Sequence, residues 1–341
     1  MPTLSRQIRL ASRPEGAPQP ENFSHEDHAV RPPEAGEVVL KTLYLSLDPY
    51  MRGRMSDVES YAEPMQLGDV MVGGTVAEVV ESAAEALRPG QVVVAYGGWQ
   101  TYSTERASSL RILDPDQAPI TTALGVLGMP GFTAYAGLLQ IAKPTAGETL
   151  AVAAATGPVG ATVGQIAKIM GCRTIGIAGG PTKVEHLHEL GFDAALDHRE
   201  DDLDGRLRDA APDGIDIYFE NVGGKVWDAV LPCLNTFARV PVCGLAASYN
   251  VSGLPQGPDR SQALLRTVLD KSLTLRGFIQ NEFAPTMFDD FLRDMGAWVR
   301  EGKVQYREDI TDGLDLAPEA FAGMLEGRNF GKTLVKVADH S

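Results

Sequence analysis

Gly147-Glu-Thr-Leu-Ala-Val-Ala-Ala-Ala-Thr-Gly-Pro-Val-Gly-Ala-Thr-Val-Gly-Gln-Ile-Ala-Lys-Ile-Met-Gly171 reads as a buried strand, a glycine turn and a helix in succession. The apolar run from Thr149 to Ala155 is too short for an ordinary helix and dense enough for a parallel strand covered on both faces. Gly157 and Gly160 follow at once. Glycine there lets the chain turn tightly and approach a pyrophosphate with no Cβ in the way, while the unpaired N–H groups of the next helix point at the phosphates. Gly164, one turn further, lets the helix lie close on the strand. The pattern is Ala154-x-x-Gly157-x-x-Gly160, with Ala155 at the first glycine position of the strict G-x-G-x-x-G motif. Taken alone, the turn is open to two readings, a dinucleotide site or a tight connection that binds nothing.

Outward from this stretch, strand-like and helix-like segments alternate. Strands are expected at Leu150 to Ala155, Thr174 to Ala178, Ala194 to Asp197, Ile215 to Glu220, Arg239 to Cys243 and Leu273 to Phe278. Helices between them predict a doubly wound parallel sheet. A helix is expected over Met129 to Ala142, and another over Ala284 to Glu301. Residues 1 to about 120 carry β signals instead, at Arg6 to Leu10, Val38 to Leu47, Val70 to Val80, Val92 to Tyr96 and Trp99 to Ser103, with an irregular segment from Asp57 to Leu67. The tail, with strand-like Tyr306 to Ile310 and Thr333 to Val337 around helix-like Pro318 to Leu325, is expected to rejoin that first part. The fold class is therefore α/β. A doubly wound domain at 123–311 accompanies a mostly antiparallel, barrel-like domain formed by 1–122 with 312–341, a division that suits 341 residues.

A net charge of −15 argues against a general attraction to nucleic acid or anionic membrane, both polyanions. Three scattered cysteines, Cys172, Cys233 and Cys243, suggest no disulfide framework and fit a reducing compartment. The first ten residues lack a signal-peptide core and no apolar run reaches a membrane span, so a cytoplasmic protein is expected.

The second strand bears on the cofactor. An NAD site usually places an acid at its end to hold the ribose 2′-OH. Here the chain runs Ile177-Ala178-Gly179-Gly180-Pro181-Thr182-Lys183. No carboxylate repels a 2′-phosphate and Lys183 supplies a cation, which favours NADPH over NADH, although an exposed lysine is the commoner role for such a residue. No metal site is expected: residues 1 to 120 hold no cysteine and only His25 and His28, in what reads as an irregular leader, while His186 and His188 face different directions on a helix.

Leu45-Ser-Leu-Asp-Pro-Tyr-Met-Arg-Gly-Arg54, Met129-Pro-Gly-Phe-Thr-Ala-Tyr135, Gly164-Gln-Ile-Ala-Lys168, Gly191-Phe-Asp-Ala194, Phe219-Glu-Asn-Val-Gly-Gly224 and Gly327-Arg-Asn-Phe-Gly-Lys332 together resemble the zinc-free medium-chain dehydrogenase/reductase family. Within it the chain is similar to the leukotriene hydroxydehydrogenase / prostaglandin reductase branch, most of all its bacterial curcumin reductase-like members, over essentially its whole length. The resemblance implies a Rossmann domain and a GroES-like catalytic domain, a homodimer, and NADPH-dependent reduction of the carbon-carbon double bond of hydrophobic α,β-unsaturated ketones and aldehydes. It further implies that Gly157, Pro158, Val159 and Gly160 hold the pyrophosphate and Lys183 the 2′-phosphate. Asn221, the segment Cys243, Gly244, Leu245 to Tyr249, then Phe278, Ile279 and Gln280, and Asn329 would line the rest of the cofactor, with Thr133 near the nicotinamide. His198 stands where the family commonly has tyrosine, and a histidine can also serve a phosphate.

Hydride addition to the β-carbon produces an enolate, so the protein must orient the substrate and stabilise negative oxygen. Tyr249 is the expected donor to that oxygen and Tyr50 the orienting hydroxyl, while Tyr61 is expected at the pocket rim, where simple packing is its commoner role. Asp48 and Arg52 read as a local pair fixing the turn after Pro49, and Glu200 to Asp204 as a solvated helix start. A quinone reductase and a non-catalytic NADPH-binding protein are the competing readings.

Overall fold

The computed structural model describes residues 3–58, 60–251 and 259–340; Met1, Pro2 and Glu59, which fall within the expected leader and irregular segment, lie outside them. The chain divides into two compact units, Met1–Gly125 with Glu308–Ser341, and Val126–Arg307.

In the first unit the strands are β1 (Leu4–Leu10), β2 (Phe23–Ala29), β3 (Glu37–Ser46), β4 (Thr75–Ser82), β5 (Val92–Ala95), β6 (Tyr102–Arg106) and β7 (Arg111–Ile112). The second unit contributes β8 (Thr149–Ala153), β9 (Arg173–Ala178), β10 (Ala194–Asp197), β11 (Ile215–Phe219), β12 (Leu234–Val242) and β13 (Thr274–Gly277). The first is then completed by β14 (Glu308–Asp312) and β15 (Lys332–Lys336).

The main sheet of the first unit runs β14-β15-β3-β4-β5-β7, with β6 also on β3, and β1 pairs β2 separately. Only β14 and β15 are parallel; the other pairs are antiparallel. β3 is apolar on both faces because both are covered: Val38 and Leu40 pack with Val79 and Val93, Leu43 with Val76 and Leu334. A third cluster gathers Leu45, Leu47, Met51 and Met71 around Trp99, which stacks on Phe23 at 5.7 Å and meets Phe321 edge-on at 5.6 Å. Burying each such side chain contributes about 1.5–3 kcal/mol.

Three local expectations change. His25 and His28 sit on β2, not in an irregular leader; Phe23-Ser-His-Glu-Asp-His-Ala hides its strand character because residues 25–29 all face solvent. Val70 to Val80 is not one strand: β4 starts at Thr75, and a Cβ on Gly73 would stand 2.8 Å from Leu45 Cδ1, so the chain crosses the core closely there. Trp99 lies before β6, held by its N–H to Met71 O at 2.8 Å.

The second unit is a six-stranded parallel sheet in the order β10-β9-β8-β11-β12-β13. Strand order reverses between β8 and β11, which opens a crevice at the carboxyl ends of the strands. All five residues of β8 are buried, and its alternation serves two cores. Leu150 and Val152 join Ile166, Phe192, Phe219 and Phe291 on one face; Ala151 and Ala153 join Ile175, Ile177, Tyr218 and Val240 on the other. Gly164 allows close packing, though its partner is an aromatic ring: a Cβ there would lie 2.0 Å from Phe192 Cζ. The helix expected to Ala142 is α-helical only over Met129–Ala136 and widens to a π-helix over Gly137–Ala142. Gly137 makes room there for the rings of Phe278 and Phe219, which a Cβ would meet at 2.5 and 2.8 Å.

Candidate active site

In the second unit, the chain leaves β8 through Ala154, held at φ +49°, and enters the helix Pro158–Ile169 with Gly157 as its N-cap. Gly157 N–H donates to Ala154 O at 2.9 Å. No side chain caps this helix, so the first-turn N–H groups of Val159 and Gly160 remain for an anion. A Cβ on Gly160 would stand 2.5 Å from Ala154 O and 2.8 Å from Ala155 Cα, and one on Gly157 3.2 Å from Ala154 O. The first contact is one only glycine avoids, which gives the Gly157, Pro158, Val159, Gly160 turn its sequence requirement.

One rim of the crevice is tied together by a buried acid. Glu220, 2% exposed, accepts the N–H groups of Val222 and Gly223 at 2.7 and 2.8 Å. Burial holds its carboxyl above the ordinary range against the pull of those donors. Asn221 Nδ2 donates to Ala153 O at 2.9 Å and its Oδ1 accepts from Cys243 Sγ at 2.8 Å, so Asn221 links the ends of β8, β11 and β12. An amide carries two N–H donors, so a second proton remains on Nδ2 for a ligand. Burial, then the Glu220 charge, pushes the Cys243 thiol up to about 12, which makes it a neutral wall and not a nucleophile. After Gly244 and Leu245, the turn Ala246–Ser248 brings Tyr249 back over the loop, where its hydroxyl accepts the Leu245 N–H at 3.3 Å.

Thr133 is buried in the second turn of its helix and donates to Met129 O at 2.8 Å, leaving its oxygen as an acceptor. Phe278 turns its ring into the core against Phe219, so main-chain atoms are what position 278 has for a ligand. Ile279 N–H is held by Glu282 at 3.0 Å, and Gln280 follows half-buried.

At the end of β9 the chain reads Ala178-Gly179-Gly180 and enters the helix Pro181–Glu189, which carries Lys183 in its first turn. No carboxylate stands on β9. Asp197, at the end of β10, is 5% exposed and spends its charge on backbone: it accepts the Arg199 N–H at 2.8 Å and the Gly180 N–H. His198 is held below its ordinary pKa by burial and by the Lys225 charge, and its buried Nδ1 has no partner among the described residues. Arg199 was not singled out by the sequence; its one signal is that it follows His198 at the exit of β10. A glycine cradle that a Cβ would fill, an uncapped helix N-terminus, an unpaired imidazole nitrogen and an acid-free second strand together fit a dinucleotide bearing a 2′-phosphate.

Tyr50, Tyr61 and Asn329 belong to the first unit. Tyr50 opens the short helix Tyr50–Arg54, and burial, the Asp48 charge and then Tyr96 and Tyr61 push its hydroxyl well above the ordinary pKa. Tyr61 is 64% exposed. Tyr96, just after β5, joins this group and was not anticipated as a site residue, because the sequence reads it only as the end of a strand. Asn329 Nδ2 donates to Gly331 O at 3.0 Å, on the wall of a 280 Å³ cleft with Arg328, Met324 and Thr333.

The expected Asp48–Arg52 pair is overturned. Asp48 Oδ1 pairs with Lys332 Nζ at 2.8 Å, and its Oδ2 accepts from Ser46 Oγ. Lys332 also donates to Leu47 O at 2.6 Å. Arg52 donates to the carbonyls of Pro14 and Gly16 at 3.2 and 2.9 Å and to Ser56 Oγ at 2.9 Å. The i,i+4 spacing suggests a local pair only if the helix begins before Asp48, and it begins at Tyr50.

Among the described residues, no three His, Cys, Asp or Glu side chains converge as a metal ion requires, and no helix is long and apolar enough to cross a membrane.

Residues 6–113 match the family model described as N-terminal domain of oxidoreductase, and residues 158–296 the model described as zinc-binding dehydrogenase. The chain is 57% identical over 336 residues to NADPH-dependent curcumin reductase of Escherichia coli, covering 98% of this chain and 97% of that protein. It is 43% identical over 327 residues to prostaglandin reductase 1 of Rattus norvegicus, covering 94% and 96%. The crystal structure of CurA in complex with NADPH from Vibrio vulnificus superposes with a TM-score of 0.95 at 51% identity, over 98% of this chain and 99% of that one.

Proposed function

Because the chain belongs to the medium-chain dehydrogenase/reductase family, in the branch of the curcumin and prostaglandin reductases, we propose that it uses NADPH to reduce the carbon-carbon double bond of hydrophobic α,β-unsaturated ketones and aldehydes. Near-complete coverage by a relative named as an NADPH-dependent curcumin reductase carries the reading, and the acid-free β9 end supports it. NADPH, when bound, supplies the hydride that the β-carbon accepts. The glycine turn holds the pyrophosphate at Gly157 to Gly160, with Asn221 and Thr133 further along the crevice. Tyr249 donates to the carbonyl oxygen as it becomes an enolate, and Tyr50 orients the substrate. The α-carbon takes a proton that comes from solvent, so enone, hydride and proton together give the saturated ketone.

Incubation of the pure protein with NADPH and a panel of enones, curcumin and alkenals among them, is expected to give saturated products in step with cofactor oxidation. Oxidation only with quinones, yielding hydroquinone, would move the assignment to a quinone reductase; tight binding without turnover would make the protein a non-catalytic NADPH binder. A cytoplasmic setting is in keeping with three free thiols.

We also propose a homodimer through the edge of the parallel sheet. All four residues of β13 are exposed, and Leu265 and Leu269 on the preceding helix are 60% and 78% exposed. Such an edge offers unpaired backbone groups beside apolar surface. Light scattering is expected to give twice the chain mass; a monomer would reject the arrangement.

A further inference from the structure

The acid-free end of β9 is approached by a cation other than Lys183. A Cβ built on Gly179 would lie 2.9 Å from Arg199 Nε, 2.9 Å from His198 Nε2 and 3.2 Å from Arg199 Cζ; one built on Gly180 would lie 3.6 Å from a terminal nitrogen of Arg199. The guanidinium thus lies along the Gly179–Gly180 backbone, at the entrance to the helix Pro181–Glu189. Asp197 fixes this arrangement, because one buried carboxylate holds the Gly180 and Arg199 N–H groups together. Glu200 is committed elsewhere, pairing with Arg206 at 2.5 Å; the Asp197 carboxylate feels the Arg199 charge, but among the described residues the guanidinium makes no salt bridge and keeps its donors for a ligand. In a chain of net charge −15, Arg199, His198, Lys183 and Lys225 gather around one strand end.

We propose that Arg199 is a second cationic ligand of the 2′-phosphate of NADPH and shares with Lys183 the discrimination against NADH. The inference rests on the reading of this chain as an NADPH enzyme. A guanidinium offers a planar fork of donors that grips two phosphate oxygens at once, whereas an ammonium acts as a point charge. Neither glycine has a side chain to keep the phosphate away from that fork.

Calorimetric titration with 2′,5′-ADP and with 5′-AMP tests this without turnover. The wild type is expected to prefer 2′,5′-ADP. Arg199→Met is expected to weaken 2′,5′-ADP at least tenfold and to leave 5′-AMP within twofold, with Arg199→Lys in between; an unchanged melting temperature shows that the fold is intact. If the wild type prefers 2′,5′-ADP and Arg199→Met binds it equally well, the role of Arg199 is overturned while the NADPH reading stands. An equal loss for both nucleotides would also overturn it, since the damage would then lie in the adenosine site. A wild type without preference would overturn the NADPH reading together with the inference.

Discussion

Tyr249→Phe is expected to lower kcat for an enone by about 10²–10³-fold, the typical loss when a donor to a developing oxyanion is removed. The hydroxyl accepts the Leu245 N–H at 3.3 Å, and a donor that is itself hydrogen-bonded through its oxygen is polarised toward giving its proton. Phenylalanine keeps the ring and loses the proton. The structural cost is small by comparison: one partly exposed backbone bond contributes about 0.5–1.5 kcal/mol, and water can take the place of the lost acceptor. Steady-state kinetics with NADPH saturating would therefore report chemistry more than folding. A loss below tenfold would remove Tyr249 as the principal donor and leave Tyr50 as the hydroxyl to test next.

Lys332→Met is expected to destabilise the protein by about 3–5 kcal/mol, because a buried carboxylate loses its counter-ion. The pair is deeply enclosed, with side chains 3% and 7% exposed, and Lys332 also serves Leu47 O. Without the ammonium, Asp48 keeps the Ser46 hydroxyl but has no cation. Lys332→Met combined with Asp48→Asn should recover much of the loss, since the second change removes the stranded charge. Urea denaturation followed by fluorescence measures both. A single-variant loss under about 1 kcal/mol, or no recovery in the double variant, would mean that the pair does not hold this turn. Asp48 lies two residues before Tyr50, so KM for the enone is expected to rise in the single variant as well.

Local chemistry was the most legible part of the sequence. Fully buried parallel strands such as β8 are continuous apolar runs, and the glycine turn and missing second-strand acid are contiguous features that spacing alone exposes. Asp202, within the acidic segment read as a helix start, caps Leu203–Ala210 by accepting Gly205 N–H at 3.1 Å. What stayed hidden depends on distant partners. β2 is a strand through its pairing with β1, since its own residues lack apolar alternation. Asp48 finds its cation 284 positions away and not at the nearby arginine. Arg199 gains significance only because it lies against the glycine pair that follows another strand, β9. Phe278 shows the converse: the family resemblance implies a cofactor contact at 278, but cannot show that the ring points into the core.

The Lys332–Asp48 pair also orders events during synthesis. At roughly 5–20 residues per second, the 284 positions between the partners take about 15–60 s to make, so Asp48 waits that long for its counter-ion. The nucleotide unit, drawn from one unbroken stretch, has all its strands before then, whereas the unit carrying Tyr50 must await β15. The nascent chain can therefore complete its parallel-sheet unit while Tyr50 still lacks a finished scaffold.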